Sequence, residues 1–321
     1  MTKFKTHKKK GAAAIVTASV LALIALFGMT ACSNAAQPDA GTGGSTALPE
    51  APFVEGGASL ILSPDKLDIE VKETTSDGTL VTVEGCEETT LTSGTETVLH
   101  AKGTLVILKG KIKELDCHGN QLTELNVQGL TALEALYCGY NRLTALNVQG
   151  RTALKRLWCN HNQLTALNVQ GCTALKTLYC WDNRLTALNV QGLTALQSLG
   201  CDSNQLTELN VQGLTALQSL GCYSNRLTAL NVQGLTALQT LSCEGNRLTA
   251  DAFKKLFDDL PQRQDSDDAK CILYTEESGV TEGNHTDFTA PPDLADAFND
   301  AKNNKKWKMY KWNESGSVVE I

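Results

Sequence analysis

The chain has 321 residues, with 28 Lys and Arg against 35 Asp and Glu, which gives a formal net charge of −7. Proteins that bind nucleic acid need an excess of basic residues to neutralise phosphates, so this balance argues against nucleic acid as a partner. The hydrophobic share of 42% is typical of a soluble chain that can bury a core, which excludes a disordered polymer.

The N-terminus has the pattern of an export signal. Five lysines among the first ten residues precede an uncharged apolar run from Ala12 to Met29, and small residues then lead to Cys32. This order predicts a signal peptide over residues 1–31. The sequence before Cys32 resembles a bacterial lipobox, with Met29 where that box usually has leucine. The resemblance implies that Cys32 is lipidated and becomes the first residue of the mature chain.

Residues 32–52 are rich in Gly, Ser, Thr, Ala and Pro, a composition that predicts a flexible tether. We therefore expect an exported, lipid-anchored protein of the bacterial cell envelope, on the outer surface rather than in the periplasm. A plain cleaved signal is one alternative. An uncleaved anchor is the other, since the apolar run of 18 residues just reaches across a bilayer.

Residues 53–110 alternate short β-branched runs with glycine-containing turns. The runs cover residues 67–71, 80–83, 97–99 and 105–108. Such a pattern predicts a small β cap. Its expected role is to cover the first turn of the region that follows, whose apolar end would otherwise face water.

Residues 111–250 repeat one phrase seven times with a step of 21 residues: an apolar residue, then x-x-Leu-x-Cys-x-x-Asn-x-Leu-Thr. A fixed period of this kind predicts a solenoid. In the repeat that starts at Leu133, Leu136 and Cys138 in the first half correspond to Leu146 and Val148 in the second half. We therefore expect about seven turns, each with two extended segments that stack into two parallel sheets.

The corners of each turn carry polar or flexible residues in a fixed register. The ninth position of every phrase is asparagine, whose amide is expected to pair with backbone groups that the bend leaves unpaired. The opposite corner is expected to use the glycines Gly129, Gly150, Gly171, Gly192, Gly213 and Gly234.

The seven repeat cysteines stand at an inward position, where an unpaired thiol acts as a small apolar side chain. They are Cys117, Cys138, Cys159, Cys180, Cys201, Cys222 and Cys243. A buried ladder of free thiols is the favoured interpretation, because stacked parallel side chains would need distorted geometry to form disulfides. Disulfides and a soft-metal site are the alternatives, although regular 21-residue spacing is not a zinc spacing.

Residues 251–321 are predicted to form an α/β C-terminal cap. Phe253, Leu256 and Phe257 share one face of a helix that Thr249 begins and Pro261 ends. A strand at 271–274, a second helix at 292–303 and a strand at 307–312 are expected to follow. The acidic segment 265–268 lacks a spaced calcium loop and is interpreted as a solvated turn.

The phrase resembles the leucine-rich repeat, Leu-x-x-Leu-x-Leu-x-x-Asn-x-Leu, with cysteine in the third apolar slot. More narrowly it is similar to the short bacterial 21-residue class called IRREKO repeats. The resemblance implies a mainly β solenoid with caps at both ends. Together with the lipobox and tether, it is similar to surface lipoproteins of spirochaetes, which implies a role in attachment to a host matrix or cell-surface protein.

Specificity is expected where the repeats differ, at positions 5, 7 and 8 on the outward face of the first sheet. Six aromatic residues lie at these positions, a composition typical of binding hot spots. We predict a partner-binding face formed by Tyr137, Tyr140, Trp158, His161, Tyr179, Trp181, Asp202 and Tyr223, with Asp202 and Glu244 as an acidic rim for a basic partner. The alternative is that the rings only stack and stiffen the sheet.

Enzyme motifs are weak in this sequence. His118 and His161 alternate to the side of the strand opposite the repeat cysteines, so we expect no Cys–His catalytic pair, no catalytic residue, no cofactor and no metal. The function predicted is that of a monomeric module that binds another macromolecule, in first place a protein. A glycan-binding surface and a structural envelope protein without a specific ligand are the alternatives.

Overall fold

In the computed structural model of the chain, the described residues are 51–321. The predicted signal peptide, Cys32 and all but the last two residues of the predicted tether lie outside them. Within 51–321, no helix is both long enough and apolar enough to cross a membrane.

Six strands form the N-terminal part, which the sequence predicts as a β cap. They are β1 Gly57–Ile61, β2 Asp68–Thr75, β3 Val81–Glu84, β4 Thr90–Leu91, β5 Glu96–His100 and β6 Leu105–Lys109. The predicted runs correspond to β2, β3, β5 and β6, whereas β1 and β4 were not predicted. Strand β1 was not predicted because all five of its residues are buried, so it lacks the alternation of apolar and polar residues that indicates a half-buried strand.

The first halves of the seven repeats form seven parallel strands, which confirms the predicted solenoid. They are β7 Ile112–Asp116, β9 Ala135–Tyr137, β11 Arg156–Trp158, β13 Thr177–Tyr179, β14 Ser198–Gly200, β15 Ser219–Gly221 and β16 Thr240–Ser242. Each strand pairs with the next at a shift of 21 residues, so that Leu136, Leu157 and Leu178 stand side by side. The framework leucines therefore stack into one buried column.

The second halves form strands only at the start of the solenoid. These are β8 Glu124–Asn126, β10 Ala145–Asn147 and β12 Ala166–Asn168, of which β10 and β12 pair in parallel. Later repeats keep the side-chain bonds that the earlier repeats also have: Asn189 Oδ1 accepts from the Gln191 N–H of its own turn at 3.1 Å, and Gln191 Nε2 donates to the Asn210 carbonyl of the next turn at 2.9 Å. The second parallel sheet is therefore shorter than the sequence predicts.

The N-terminal strands cover the first turn by pairing with both of its halves. Strand β2 lies antiparallel to β7, and β1 lies antiparallel to β8. The first repeat therefore exposes neither of its backbone edges, which is how a terminal unit keeps a solenoid from pairing further.

The core is a stack of leucines, valines and cysteines. The ten cysteines from Cys86 to Cys271 are free thiols and all are buried, as the thiol-ladder interpretation predicts. Burial raises the pKa of the Cys159 and Cys180 thiols far above its usual range, because a thiolate would lose its hydration there. These sulfur atoms fill space in the core, where a reagent or substrate does not reach them.

A thiol-labelling experiment checks this arrangement. We expect a thiol reagent at pH 8 to leave these ten cysteines unmodified in the folded chain and to modify all ten in denaturant, since only exposed thiolates react. Mass spectrometry before and after unfolding measures the difference. Rapid labelling of Cys180 in the native protein would contradict the buried ladder.

The repeat asparagines form a second ladder that binds backbone, as the sequence predicts. Asn183 Nδ2 donates to the carbonyls of Cys159 at 3.1 Å and Cys180 at 3.0 Å, while its Oδ1 accepts from the Leu164 N–H at 2.9 Å. One amide thus joins two neighbouring turns. The same pattern recurs at Asn204 and Asn225.

The C-terminal part contains the predicted elements and one more strand. Its elements are α1 Ala250–Asp259, β17 Lys270–Thr275, α2 Pro292–Asn303, β18 Lys308–Trp312 and the additional β19 Val318–Glu320. Thr249 caps α1 as predicted, accepting from the Ala252 N–H at 3.3 Å. The parallel strands β17 and β18 extend the first sheet past β16.

The asparagine ladder continues into this part, although the phrase ends at Asn246. Asn284 Oδ1 accepts from the Leu248 N–H at 2.8 Å, and its Nδ2 donates to the carbonyls of Cys243 and Leu273, both at 2.9 Å. The backbone groups of the last repeat are therefore satisfied by the same amide bonds as in the other repeats. The residues between Asn246 and Asn284 do not follow the phrase.

Candidate functional site

The aromatic residues of repeats two to four lie on one face of the first sheet, here called the aromatic face (Tyr137, Tyr140, Trp158, His161, Tyr179 and Trp181). Its rings touch both within a repeat and from one repeat to the next. The ring centroids of Tyr137 and Trp158 are 5.0 Å apart, those of Trp158 and Tyr179 are 5.7 Å apart, and those of Tyr179 and Trp181 are 4.9 Å apart. These spacings are typical of favourable aromatic pairs.

The aromatic face borders a solvent-open cavity of about 380 Å³, here called the central cavity. Its walls are largely apolar ring surface, with Tyr140 59% and Trp158 41% exposed. The lining residues are Asp116, His118, Tyr137, Gly139, Tyr140, Trp158, Asn160 and Trp181. A mostly apolar cavity with a few polar groups is the usual form of a ligand site.

Asn160 gives the central cavity a polar floor. It is only 5% exposed, yet its side-chain amide makes no hydrogen bond to any residue of the 51–321 range. Gly139 makes room for it, because a Cβ at that position would lie 3.1 Å from Asn160 Oδ1. The amide atoms keep contact with solvent through the cavity, so this group is accessible to a ligand.

Asp116 supplies a carboxylate at the wall of the central cavity. Its Oδ1 accepts from the N–H of His118 at 3.1 Å and lies 2.7 Å from His118 Nδ1. The other oxygen, Oδ2, makes no hydrogen bond within the described range. Asp116 thus holds His118 in place and retains one free acceptor.

A smaller cavity of about 150 Å³ adjoins the central cavity and shares Asp116 and Tyr137 with it; its other walls are Lys72, Thr74 and Glu114. Beside it, Arg156 donates from Nε to the Tyr137 hydroxyl at 2.8 Å and pairs with Glu114 at 3.0 Å. The positive charge of Arg156 is therefore already matched within the face.

His161 and Tyr179 do not line the cavity but contact the rings that do. His161 Nδ1 lies 2.5 Å from Asp182 Oδ2, and Trp181 Nε1 donates to His161 Nε2 at 3.4 Å. These two contacts assign the proton of the neutral ring to Nδ1. The His161 ring stacks on Tyr140 at 4.2 Å, so it fixes two rings of the cavity wall.

The eighth position of the phrase has a left-handed backbone, which is costly for bulky side chains. Its φ is +69° at Gly119 and +64° at Gly245, but also +55° at Tyr140 and +50° at His161. Glycine fits this position without strain, as the first and last repeats show. Two large rings kept at strained positions, both part of the aromatic face, suggest that function and not stability selects them.

Replacing Tyr140 by glycine separates the two roles considered for these rings. We expect the free energy of unfolding to stay within about 1 kcal/mol of the native chain, because the relieved left-handed strain offsets the lost stacking. Binding of a partner should weaken at least about tenfold, the loss typical of an exposed interface anchor. Denaturant unfolding and a binding titration measure the two effects. A loss of stability above about 2 kcal/mol with unchanged binding would favour stacking alone.

Two of the predicted acidic residues are not accessible. Asp202 is 7% exposed, so the prediction that it forms an accessible acidic rim is wrong, as it is for Glu244, which is 5% exposed. The reason at Asp202 is the glycine at position 5 of repeats five and six, since a Cβ at Gly221 would lie 2.6 Å from Asp202 Oδ1. Tyr223 occupies the same position 7 one repeat after Asp202, and it does not line the central cavity.

Burial changes the chemistry of these two acids. Loss of hydration raises the pKa of Asp202 to about 7 and that of Glu244 to about 7. Asp202 accepts from the Tyr223 N–H at 3.2 Å, and Glu244 accepts from Trp312 Nε1 at 3.0 Å. Neither group is available to a partner in the way that a rim residue would be.

Sequence reasoning missed four lining residues: Asp116, His118, Gly139 and Asn160. They occupy positions 5 and 7, the same positions that identified the aromatics. The signal was the pairing of a small residue, Gly139, with a polar residue, Asn160, one repeat further on. A glycine beside a larger side chain in the next repeat indicates a depression in the sheet face.

Residues 51–321 contain no group of three or more His, Cys, Asp or Glu side chains placed to hold a metal ion. The chemistry that the site can offer through its lining residues is recognition, by ring faces, one amide and one carboxylate.

Seven 21-residue turns, a buried Leu and Cys core and an asparagine ladder define a leucine-rich-repeat solenoid with a cap at each end. No protein-family model matches the chain, and neither does any curated protein. Among solved structures, it is similar to the leucine-rich effector protein YopM of Yersinia pestis, with 24% identity and a TM-score of 0.41 over 50% of this chain and 42% of that one. The chain thus spans under half the length of YopM.

Two further structures are similar to this chain. One is a Shigella effector LRR domain, with 18% identity and a TM-score of 0.45 over 63% of this chain and 82% of that one. The other is an LRR protein of Leptospira interrogans, with 22% identity and a TM-score of 0.39 over 62% and 60%.

Proposed function

We propose that this chain is a bacterial cell-envelope lipoprotein that holds a protein partner on its aromatic face. The observation that supports this most is the central cavity, where the exposed rings of Tyr140 and Trp158 surround the unpaired amide of Asn160. Exposed Tyr and Trp beside a polar group that has no partner in the protein are a composition typical of an interface hot spot. Because stacking already fixes the rings, little side-chain entropy is lost on binding.

The proposal places the partner on another cell or on its matrix. An excess of the purified chain, added to cells that display it, is then expected to block their attachment to a host-cell monolayer. Attachment that persists at saturating chain would contradict the proposal. Inhibition of attachment by free saccharides, but not by matrix proteins, would instead indicate that the aromatic face binds a glycan.

Anchoring through lipid at Cys32 is the second part of the proposal. It rests on the apolar run, the small residues before Cys32 and the tether that follows. Cys32→Ser is expected to abolish incorporation of a labelled fatty acid and to release the chain from the membrane fraction. Protease added to intact cells should digest the native protein, and protection from protease would contradict surface attachment.

A further inference from the structure

We infer that the central cavity binds the guanidinium group of an arginine side chain presented by the partner. This inference rests on the proposed function and names the chemistry of its main contact. Three observations support it: stacked ring faces that form the walls, a free amide oxygen at the floor, and a carboxylate oxygen at the rim.

The walls suit a flat cation. Trp158 and Tyr140 present ring surface to the central cavity, and an arginine stacks on such faces through both cation–π attraction and planar contact. The volume of about 380 Å³ is at the lower end of ligand sites, enough for one long side chain. An ammonium group would meet the same rings as a point charge, without the planar stacking.

The polar groups suit a forked donor. Asn160 Oδ1 and Asp116 Oδ2 are both acceptors without a partner in residues 51–321, and both residues line the central cavity. Guanidinium offers five N–H groups in a fixed plane and can donate to two acceptors at once. A hydrogen bond to a carboxylate is about twice as strong as a neutral one, so Asp116 favours a cation over a neutral ligand.

Competing cations nearby are already occupied. Arg156 pairs with Glu114 and with the Tyr137 hydroxyl, and His118 is held by Asp116 through Oδ1. Lys72 borders only the smaller cavity. The Arg156 contacts also show within this face how a guanidinium binds between a tyrosine and a carboxylate. An anionic side chain would meet Asp116 in a largely apolar cavity, which disfavours it.

The test is a titration of the full chain with N-acetyl-arginine amide, followed by the NMR signals of the four tryptophan indole N–H groups. Trp158 and Trp181 line the central cavity, whereas Trp307 and Trp312 lie in the C-terminal part and serve as internal references. We expect saturable shifts at Trp158 and Trp181 only. N-acetyl-lysine amide at the same concentrations should bind several-fold more weakly.

Two variants test the acceptors. Asp116→Asn keeps the oxygen that holds His118, and Asn160→Leu keeps a side chain of similar size. Each is expected to weaken arginine binding about tenfold, the loss of one charge-assisted hydrogen bond. Val280→Ser, which alters an exposed apolar residue in the C-terminal part, should bind arginine as the native chain does.

Absence of a saturable arginine shift, equal binding of lysine, or shifts produced by methyl glycosides and not by arginine would each overturn the inference. These results are distinguishable from failure of the proposed function. If Trp158→Ser abolishes partner binding while arginine produces no shift, the aromatic face binds its partner through other chemistry.

Discussion

Replacing Asn183 by alanine is expected to lower the free energy of unfolding by about 2 kcal/mol. The substitution leaves the buried Leu164 N–H without its acceptor, whereas the carbonyls of Cys159 and Cys180 keep the amides of Asn162 and Asn204 as donors. A buried donor left without a partner costs about 1–3 kcal/mol, and water has little access to replace the lost bond. Denaturant unfolding followed by circular dichroism measures the change.

Asn189→Ala is a matched control in the same repeat. Asn189 is exposed, and its side chain makes a single local bond, to the Gln191 N–H at 3.1 Å. Its loss is expected to cost no more than about 1 kcal/mol, since water can replace that bond. Equal destabilisation by the two substitutions would show that the asparagine ladder has no special part in stability.

The second large effect is a dependence of stability on pH caused by Asp202 and Glu244. Both pKa values are about 7 in the folded chain and near the ordinary carboxyl value of about 4 when it is unfolded. Below pH 4 both carboxyls are protonated in the folded and in the unfolded chain, so their burial does not lower the free energy of unfolding. As the pH rises from about 4 to about 7, the unfolded state releases protons first, so stability falls; above the folded pKa it levels off.

The double variant Asp202→Asn and Glu244→Gln cannot ionise at these positions. It is expected to match the native chain near pH 4 and to exceed its stability at pH 8 by on the order of 3 kcal/mol for each group. The Asp202→Asn change keeps an oxygen that can accept from the Tyr223 N–H. Chemical unfolding at a series of pH values provides the measurement. A constant difference between the two proteins across this range would exclude buried carboxyls as the cause.

The architecture could be predicted from the sequence because the same short phrase recurs seven times in one register, although a single copy would indicate little. One Leu-x-x-Leu-x-Cys phrase is compatible with several structures, but seven in one register require that Leu136, Leu157 and Leu178 share one environment. The asparagine role was predictable for the same reason. Helix α2 was also predicted with the bounds it has, since prolines precede it and a polar run follows it.

The extent of the second sheet could not be predicted from the same pattern. Leu188 and Val190 are buried as the alternation requires, yet this segment is not a strand. Alternation reports which side chains face the core, whereas a strand also needs lateral backbone bonds. The same Asn and Gln side-chain bonds occur beside β8, where Gln128 Nε2 donates to the Asn147 carbonyl, and beside the irregular segment at Asn189 and Gln191. The repeated residues are alike in both regions, so the sequence pattern does not separate them.

The candidate site was predictable in part. Variation between repeats identified the aromatic face, and Tyr137, Tyr140, Trp158 and Trp181 do line the central cavity. The depth of the cavity was not predictable, because it depends on which small residue lies next to which large one across strands. The same limitation explains Asp202, whose carboxylate folds down over Gly221 instead of reaching solvent.

The central claim is that the aromatic face holds a partner, and an attachment-inhibition curve with three purified proteins tests it most directly. The native chain and Val280→Ser, which alters an exposed apolar residue in the C-terminal part, are expected to inhibit attachment equally. The variant that carries both Tyr140→Ser and Trp158→Ser should require at least about tenfold more protein, because the main ring surface of the central cavity is lost. Identical inhibition by all three proteins would contradict the account.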